Sequence, residues 1–194
     1  MMPSLPVLSA ALMGAYLAAF LVLTVLSARA AGRPAWLFGL GGRQGLPALL
    51  FRLSFAGGLL YPVLLATGVE PAPAFLDPPP PVRIAGLLLA LSGGLFAIHA
   101  QRCMGLSWRI GSAAGHSGAI VETGPFRLSR NPVFVGQVAL FAGLLVARPD
   151  AVQLALTAAL VLAVRLQVRV EEAVLVQDLG AAYRAYRQRV PRWL

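Results

Sequence analysis

The stretch TGPFRLSRNPVFVGQ, Thr123 to Gln137, sets Arg127 and Arg130, a Gly-Pro pair and an Asn-Pro pair directly against an apolar run that continues to Ala147. Arginine offers a fixed fork of donors to carboxylate or phosphate, and Gly and Pro leave backbone groups unpaired and free to face a ligand. Further on, Glu171 and Glu172 follow Arg165 and Arg169. Helical spacing puts Arg165, Arg169 and Glu172 on roughly one face, with Glu171 about 100° further round. Adjacent carboxylates at the end of an apolar helix are costly unless they pair with those arginines or face a polar cavity. The chemistry offered by this set is capture and orientation of a charged small molecule at a membrane edge. Proton transfer is poorly provided for, since the one nearby candidate base, His116, reads more readily as a plain loop histidine.

The surroundings of these residues are apolar. Hydrophobic residues make up 58% of the 194, charged residues 12%, and the mean hydropathy is +0.77, which excludes an ordinary soluble domain. Uncharged runs cover Met1–Ser27, Leu53–Val69, Ile84–Gln101, Asn131–Ala147 and Ala151–Val164. A span needs roughly 17–25 apolar residues, so the expectation is an all-α integral membrane protein of about five transmembrane helices. The last two, separated only by Arg148-Pro149-Asp150, form a tight hairpin. The second helix starts before Leu53 and carries Arg52 near its cytoplasmic end. Met1–Ser27 lacks a charged n-region and is too long for a cleaved signal, so it is read as a retained first helix. One domain is expected, with residues 1–101 as N-terminal transmembrane helices and 102–194 as the core carrying the chemistry.

All sixteen basic residues are arginines, and their placement gives an orientation. Arg29, Arg33 and Arg43 follow the first span, Arg102, Arg109, Arg127 and Arg130 the third, and Arg184, Arg187, Arg189 and Arg192 fill the tail, while Glu70 and Asp77 mark the proline-rich loop. The positive-inside rule puts the N-terminus outside and the C-terminus in the cytoplasm, with a bacterial inner membrane as the expected location. Nucleic acid is excluded as a partner because the arginines flank apolar spans and lack aromatic interleaving. With one cysteine, Cys103, and two distant histidines, no metal site is expected. Trp108 and Arg109 either anchor the membrane interface or belong to a ligand loop. In the tail, Leu175, Leu179, Tyr183, Tyr186, Val190 and Trp193 recur at steps of three and four, the pattern of an amphipathic helix lying on the membrane surface.

Gly124-Pro125-Phe126, Arg130-Asn131-Pro132, Phe134 and Gly136, followed by Glu171-Glu172, Leu175, Gly180, Tyr183, Tyr186 and Arg189-Val190-Pro191, resemble the paired signatures of the isoprenylcysteine carboxyl methyltransferase family and its phospholipid methyltransferase relatives. The resemblance covers the last half of the chain. It implies an integral membrane enzyme that uses S-adenosylmethionine. It also implies that Gly118, Ala119, Ile120, Val121 and Phe126 line the cofactor pocket largely through backbone, that Asn131, Pro132, Val133 and Phe134 close over it, and that Glu171 binds it.

Three departures stand out. Asn131 replaces a histidine, Phe126 and Phe134 replace tyrosines, and Gln167 stands where the prenylcysteine enzymes carry an acceptor-binding arginine. Arg169, with Arg165 as the alternative, is the expected substitute. The function expected is methyl transfer to a lipophilic acceptor, a carboxylate above all, at the cytoplasmic face of the bilayer. A membrane reductase using NADPH and a non-catalytic protein on the same scaffold remain the other readings.

Overall fold

The computed structural model describes residues 4–38 and 45–194; Arg43, counted above in the first cytoplasmic segment, lies outside them. Each uncharged run is matched by a helix that takes up most of it. Helix α1 spans Leu5–Ala31 and stops at Gly32, whose left-handed backbone (φ 61°) returns its amide to Ala28 and Arg29, the usual glycine termination. Helix α2 covers Gly45–Ala66, so Arg52 stands two turns inside it. The prolines of the next loop lead into α3, Pro80–Met104. After 3-10 turns at Gly105–Ser107 and Gly124–Arg127, α4 runs from Pro132 to Ala147. Pro132 enters at the first turn, where a missing N–H costs nothing. Asp150 then caps α5, Ala151–Arg189, by accepting from the Gln153 amide at 2.8 Å.

Helices α1, α2, α3 and α5 are long and apolar enough to cross a membrane. At 16 residues, α4 is about 24 Å long, nearer the lower limit for a span. No strand occurs among the described residues. Leucines such as Leu88, Leu91 and Leu95 on α3 and Leu53 and Leu60 on α2 point outward, as they do where lipid is the solvent.

Inside, small residues let backbones approach. A Cβ on Gly93 would lie 2.6 Å from the Leu140 amide nitrogen and 2.7 Å from the Gly136 carbonyl; one on Gly143 would lie 2.3 Å from the Ala90 amide nitrogen. Gly86 and Gly136 make equally close approaches. Thus α3 and α4 pack almost backbone to backbone through Gly86 and Gly93 on one side and Gly136 and Gly143 on the other, which is how helices associate where apolar burial gives little drive. Around this pair, α1 lies against α2 and α3, and α2 against α5.

Residues 33–37 meet residues 106–116 at one end of the bundle, through Arg33 to the Leu106 and His116 carbonyls and the pairing of Trp36 with Ile110. At the opposite end Phe75 donates to the Pro149 carbonyl, and Tyr61 and Arg148 both bond the fully buried Asp150.

The tail differs from expectation. Helix α5 continues well past its apolar part and breaks at Gly180 (φ 52°, ψ −121°). The stripe expected to face the membrane surface packs inward instead, with Tyr183, Tyr186 and Val190 buried against Ile120, Leu175, Val176 and Leu179. Its apolar area is spent on the loop it covers, and only Trp193 at its end is exposed.

Gly93→Val or Gly143→Val forces backbones apart. Overpacking of this kind costs about 1–3 kcal/mol or more, so thermal unfolding in detergent should fall by several degrees, whereas Gly14→Ala, whose Cβ would meet Leu59 at 3.7 Å, leaves the midpoint unchanged.

Candidate functional site

At the end of the bundle where residues 33–37 and 105–131 gather, the helices enclose a cavity of about 280 Å³. One wall is the segment Gly118–Val121. It is held from several directions. Ser107 donates to the Ala119 carbonyl at 3.0 Å, Arg33 grips the His116 carbonyl, and Asp178 on α5 accepts from the amides of Gly115 and Ser117. Gly118 permits this closeness, since a Cβ there would sit 2.7 Å from the Ser107 oxygen.

The 3-10 turn brings in Phe126, whose carbonyl accepts from the Tyr186 hydroxyl at 2.7 Å. The first turn of α4 adds Asn131, Pro132, Val133 and Phe134, with Phe134 stacked on Phe51 of α2. Opposite them, α1 and α2 supply Leu17, Phe20, Phe51 and Phe55.

Helix α5 contributes the charge. Gln167, Glu171 and Glu172 all line the cavity, yet the two carboxylates are treated differently. Glu172 is buried and doubly paired, to Arg130 at 2.7 Å and to Arg192 at 2.6 Å. The hydrogen-bonded Glu172 carboxylate pushes the Arg192 guanidinium above the usual arginine range. The same knot ties down the tail, because Ser129 and Asn131 side chains donate to the Arg192 carbonyl and the Arg130 amide to that of Pro191. Glu171 accepts from Gln167 at 3.1 Å and forms no ion pair within bonding distance among the described residues. Arg109, another arginine of the cavity wall, lends it electrostatic support.

All ten residues expected to hold the cofactor therefore meet on one cavity. Arg165 and Arg169 do not join them. Both are exposed on α5 and absent from the cavity wall, and neither pairs with Glu172, whose partners are Arg130 and Arg192. Helical phase is the reason, because they stand about 240° and 200° round the helix from Glu171, while Gln167 shares its face. His116 is exposed and outside the cavity. Trp108 is buried, donating to Thr24 and packed edge-on to Phe20, so it is a wall residue and no interface anchor. Arg109 and Arg130, weighed from the sequence as loop and motif arginines, stand on the wall, while Arg52 and the buried Gln137–Tyr16 pair at 2.8 Å have no place in the sequence reading of the site. Arg52 offered a signal, as the lone charge in α2.

S-adenosylmethionine carries a sulfonium, an ammonium and hydroxyl and amine donors. The wall fits such a group, because Glu171 is a partly buried carboxylate without a bonded cation and the adjacent Gly118–Val121 backbone supplies polar contacts without side-chain bulk. A membrane-helix bundle with this cavity suits an integral membrane methyltransferase, and the family comparison gives that class. The phospholipid methyltransferase family matches residues 82–182, just over half of the chain, and the protein belongs to that family. No curated protein and no solved structure matches it significantly. The protein is thus an S-adenosylmethionine-dependent enzyme of the membrane, related to the isoprenylcysteine carboxyl methyltransferases, and the reductase and non-catalytic readings are set aside.

Glu172→Gln orphans Arg130. Removing one partner of a buried pair costs about 3–5 kcal/mol, and the solvent access of Arg192 brings the loss towards the lower end. Thermal unfolding should show it, together with faster carboxypeptidase trimming of the tail; Glu171→Gln should change neither.

Proposed function

We propose that the enzyme methylates a lipophilic acceptor at the cytoplasmic face of a bacterial inner membrane, with a carboxylate as the acceptor group. The observation that carries this reading is the two-sided cavity. Its α4, α5 and loop walls offer backbone and Glu171, and its α1 and α2 walls offer aromatic and aliphatic side chains.

When bound, S-adenosylmethionine supplies an activated methyl group. Glu171, steadied by Gln167, holds the cationic or hydroxyl-bearing part of that cofactor. Gly118–Val121 and Phe126 pack along it, and Asn131–Phe134 close the membrane side. Tyr183 and Tyr186 beneath the loop keep water out of the cavity floor. Among the described residues, no histidine, cysteine or lysine lines the cavity. Glu172 is held by two arginines, and Tyr186 is committed to the Phe126 carbonyl. With Glu171 engaged by the cofactor in this reading, the wall keeps no other group ready to take a proton, which suits an acceptor that is already ionised. Transfer to such an acceptor needs alignment and exclusion of water, and proximity alone can supply roughly 7–11 kcal/mol.

The acceptor-binding part expected of Arg169 and Arg165 falls in this reading to arginines that reach the cavity. The chain acts as a single domain of five spans, α4 and α5 forming a hairpin. The arginine-rich end faces the cytoplasm, where the cofactor is dissolved.

Glu171→Gln removes a charge-assisted contact worth about 1.5–3 kcal/mol, so S-adenosylmethionine affinity should fall about ten-fold or more by calorimetry. Unchanged affinity would take Glu171 out of the cofactor site. For orientation, a cysteine placed at Ala74 should react with an impermeant thiol reagent on intact cells and one at Ala182 should not. The reverse labelling would invert the topology and the cytosolic route of the cofactor.

A further inference from the structure

Most residues of the cavity wall are buried or half-buried, and the exposed ones fall in two places. Ala119 belongs to the polar loop. Leu21, Trp36 and Arg52 belong to α1, the segment after it, and α2. The second group marks a lateral flank of the cavity, since neighbouring residues on these helices, Val22, Val25 and Leu53, are exposed and apolar, as suits a surface turned to lipid.

Arg52 is the sole charged residue of α2. It has no ion pair and no hydrogen bond among the described residues, in contrast to Arg130, which is knotted to Glu172 and to two tail carbonyls. An unpartnered charge two turns inside an apolar helix is costly, and this one is also placed on the wall of a cavity otherwise apolar on its α1–α2 side. The four aromatic rings Trp36, Phe38, Phe51 and Phe55 continue the wall on either side of it. A cation beside an aromatic and aliphatic slot is complementary to one kind of guest, an amphiphile with an anionic head and an acyl- or prenyl-like chain.

We propose that Arg52 receives the anionic head of the acceptor as it enters from the bilayer between α1 and α2, holding the head inside the cavity for methyl transfer while the chain lies along the aromatic slot. The assignment rests on the methyl-transfer reading, and it adds to that reading a positioning residue outside residues 82–182, the segment that the family shares. The α1–α2 wall is then where this protein selects its acceptor. The rival role for Arg52 is contact with bulk lipid headgroups by snorkelling.

Trp36 and Trp108 line the cavity, so a brominated chain in the slot quenches their fluorescence. Protein carrying Trp193→Phe, in phosphatidylcholine nanodiscs at alkaline pH, is titrated with dibromostearate and with its methyl ester. Dibromostearate should quench saturably and the ester at least ten-fold more weakly. Arg52→Gln should weaken the acid about ten-fold or more, Arg52→Lys less, and Arg165→Gln not at all. Acetate and inorganic phosphate should not compete, which separates a lipid head from a free anion; competition by either one assigns Arg52 to soluble anions and overturns the proposal.

S-adenosylmethionine affinity is measured in parallel as the test of folding. If Arg52→Gln binds the acid within two-fold of the parent, or acid and ester bind alike, the proposal is overturned. The second comparison uses only protein with native Arg52, and so decides the matter even where the variant fails to fold. Failure of the native protein to bind S-adenosylmethionine would instead sink the methyl-transfer reading.

Discussion

The close approach of α3 and α4 is the constraint on which the rest depends. With Gly86, Gly93, Gly136 and Gly143 at the contact, the two backbones meet where any side chain would collide. That contact fixes where α3 releases the chain into the 105–131 segment and where Pro132 takes it back into a helix. Both ends of the cavity-lining loop are therefore anchored to one rigid pair. Lipid tails are as apolar as leucine, so burial of apolar area cannot hold such a pair together, and van der Waals contact between backbones must. The loop itself is rich in glycine and, beyond two short 3-10 turns, has no regular structure of its own to keep it in shape.

A second layer of order is electrostatic. Glu172 binds Arg130 from the loop side and Arg192 from the tail, and the tail carbonyls of Val190, Pro191 and Arg192 accept bonds from residues 129–131. A buried charge left single would be expensive, and here Glu172 is held by two guanidiniums while Arg130 also bonds two tail carbonyls. The knot pins the tail to the start of α4 beside the cavity. Its neighbour Glu171, one residue earlier, turns to the cavity and, among the described residues, bonds only to Gln167. Two adjacent carboxylates thus serve two ends, one structural and spent, the other left with capacity for a cationic guest.

The position of the cavity answers a problem of phase. A charged cofactor comes from water and a lipophilic acceptor from the bilayer, and the two must meet without solvent. Wall residues from the polar loop and α5 face those from α1 and α2 across the space, so each reactant can be held by a surface of its own kind. Arg52 belongs to the second surface by position and to the first by chemistry.

The sequence by itself determined the helices, their order, and the composition of one wall. Uncharged runs and the prolines at 132 and 79–81 locate the elements, because hydropathy and backbone restriction act locally. The paired motifs around residues 118–136 and at Glu171 likewise pointed to residues that do converge on one cavity. Tertiary structure decided what helical arithmetic on α5 alone could not. Arg165 and Arg169 are sequence neighbours of Glu171 but lie across the helix from it, and which face turns inward is set by packing against α2 and α4. The partners of Glu172 come from 42 and 20 residues away, beyond any local pattern. The tail stripe has the period of a surface helix, and only the presence of Ile120 and the Phe126 carbonyl beneath it explains why it turns inward. The α1–α2 wall carries no motif, and its residues become a wall only because the bundle folds them against α4.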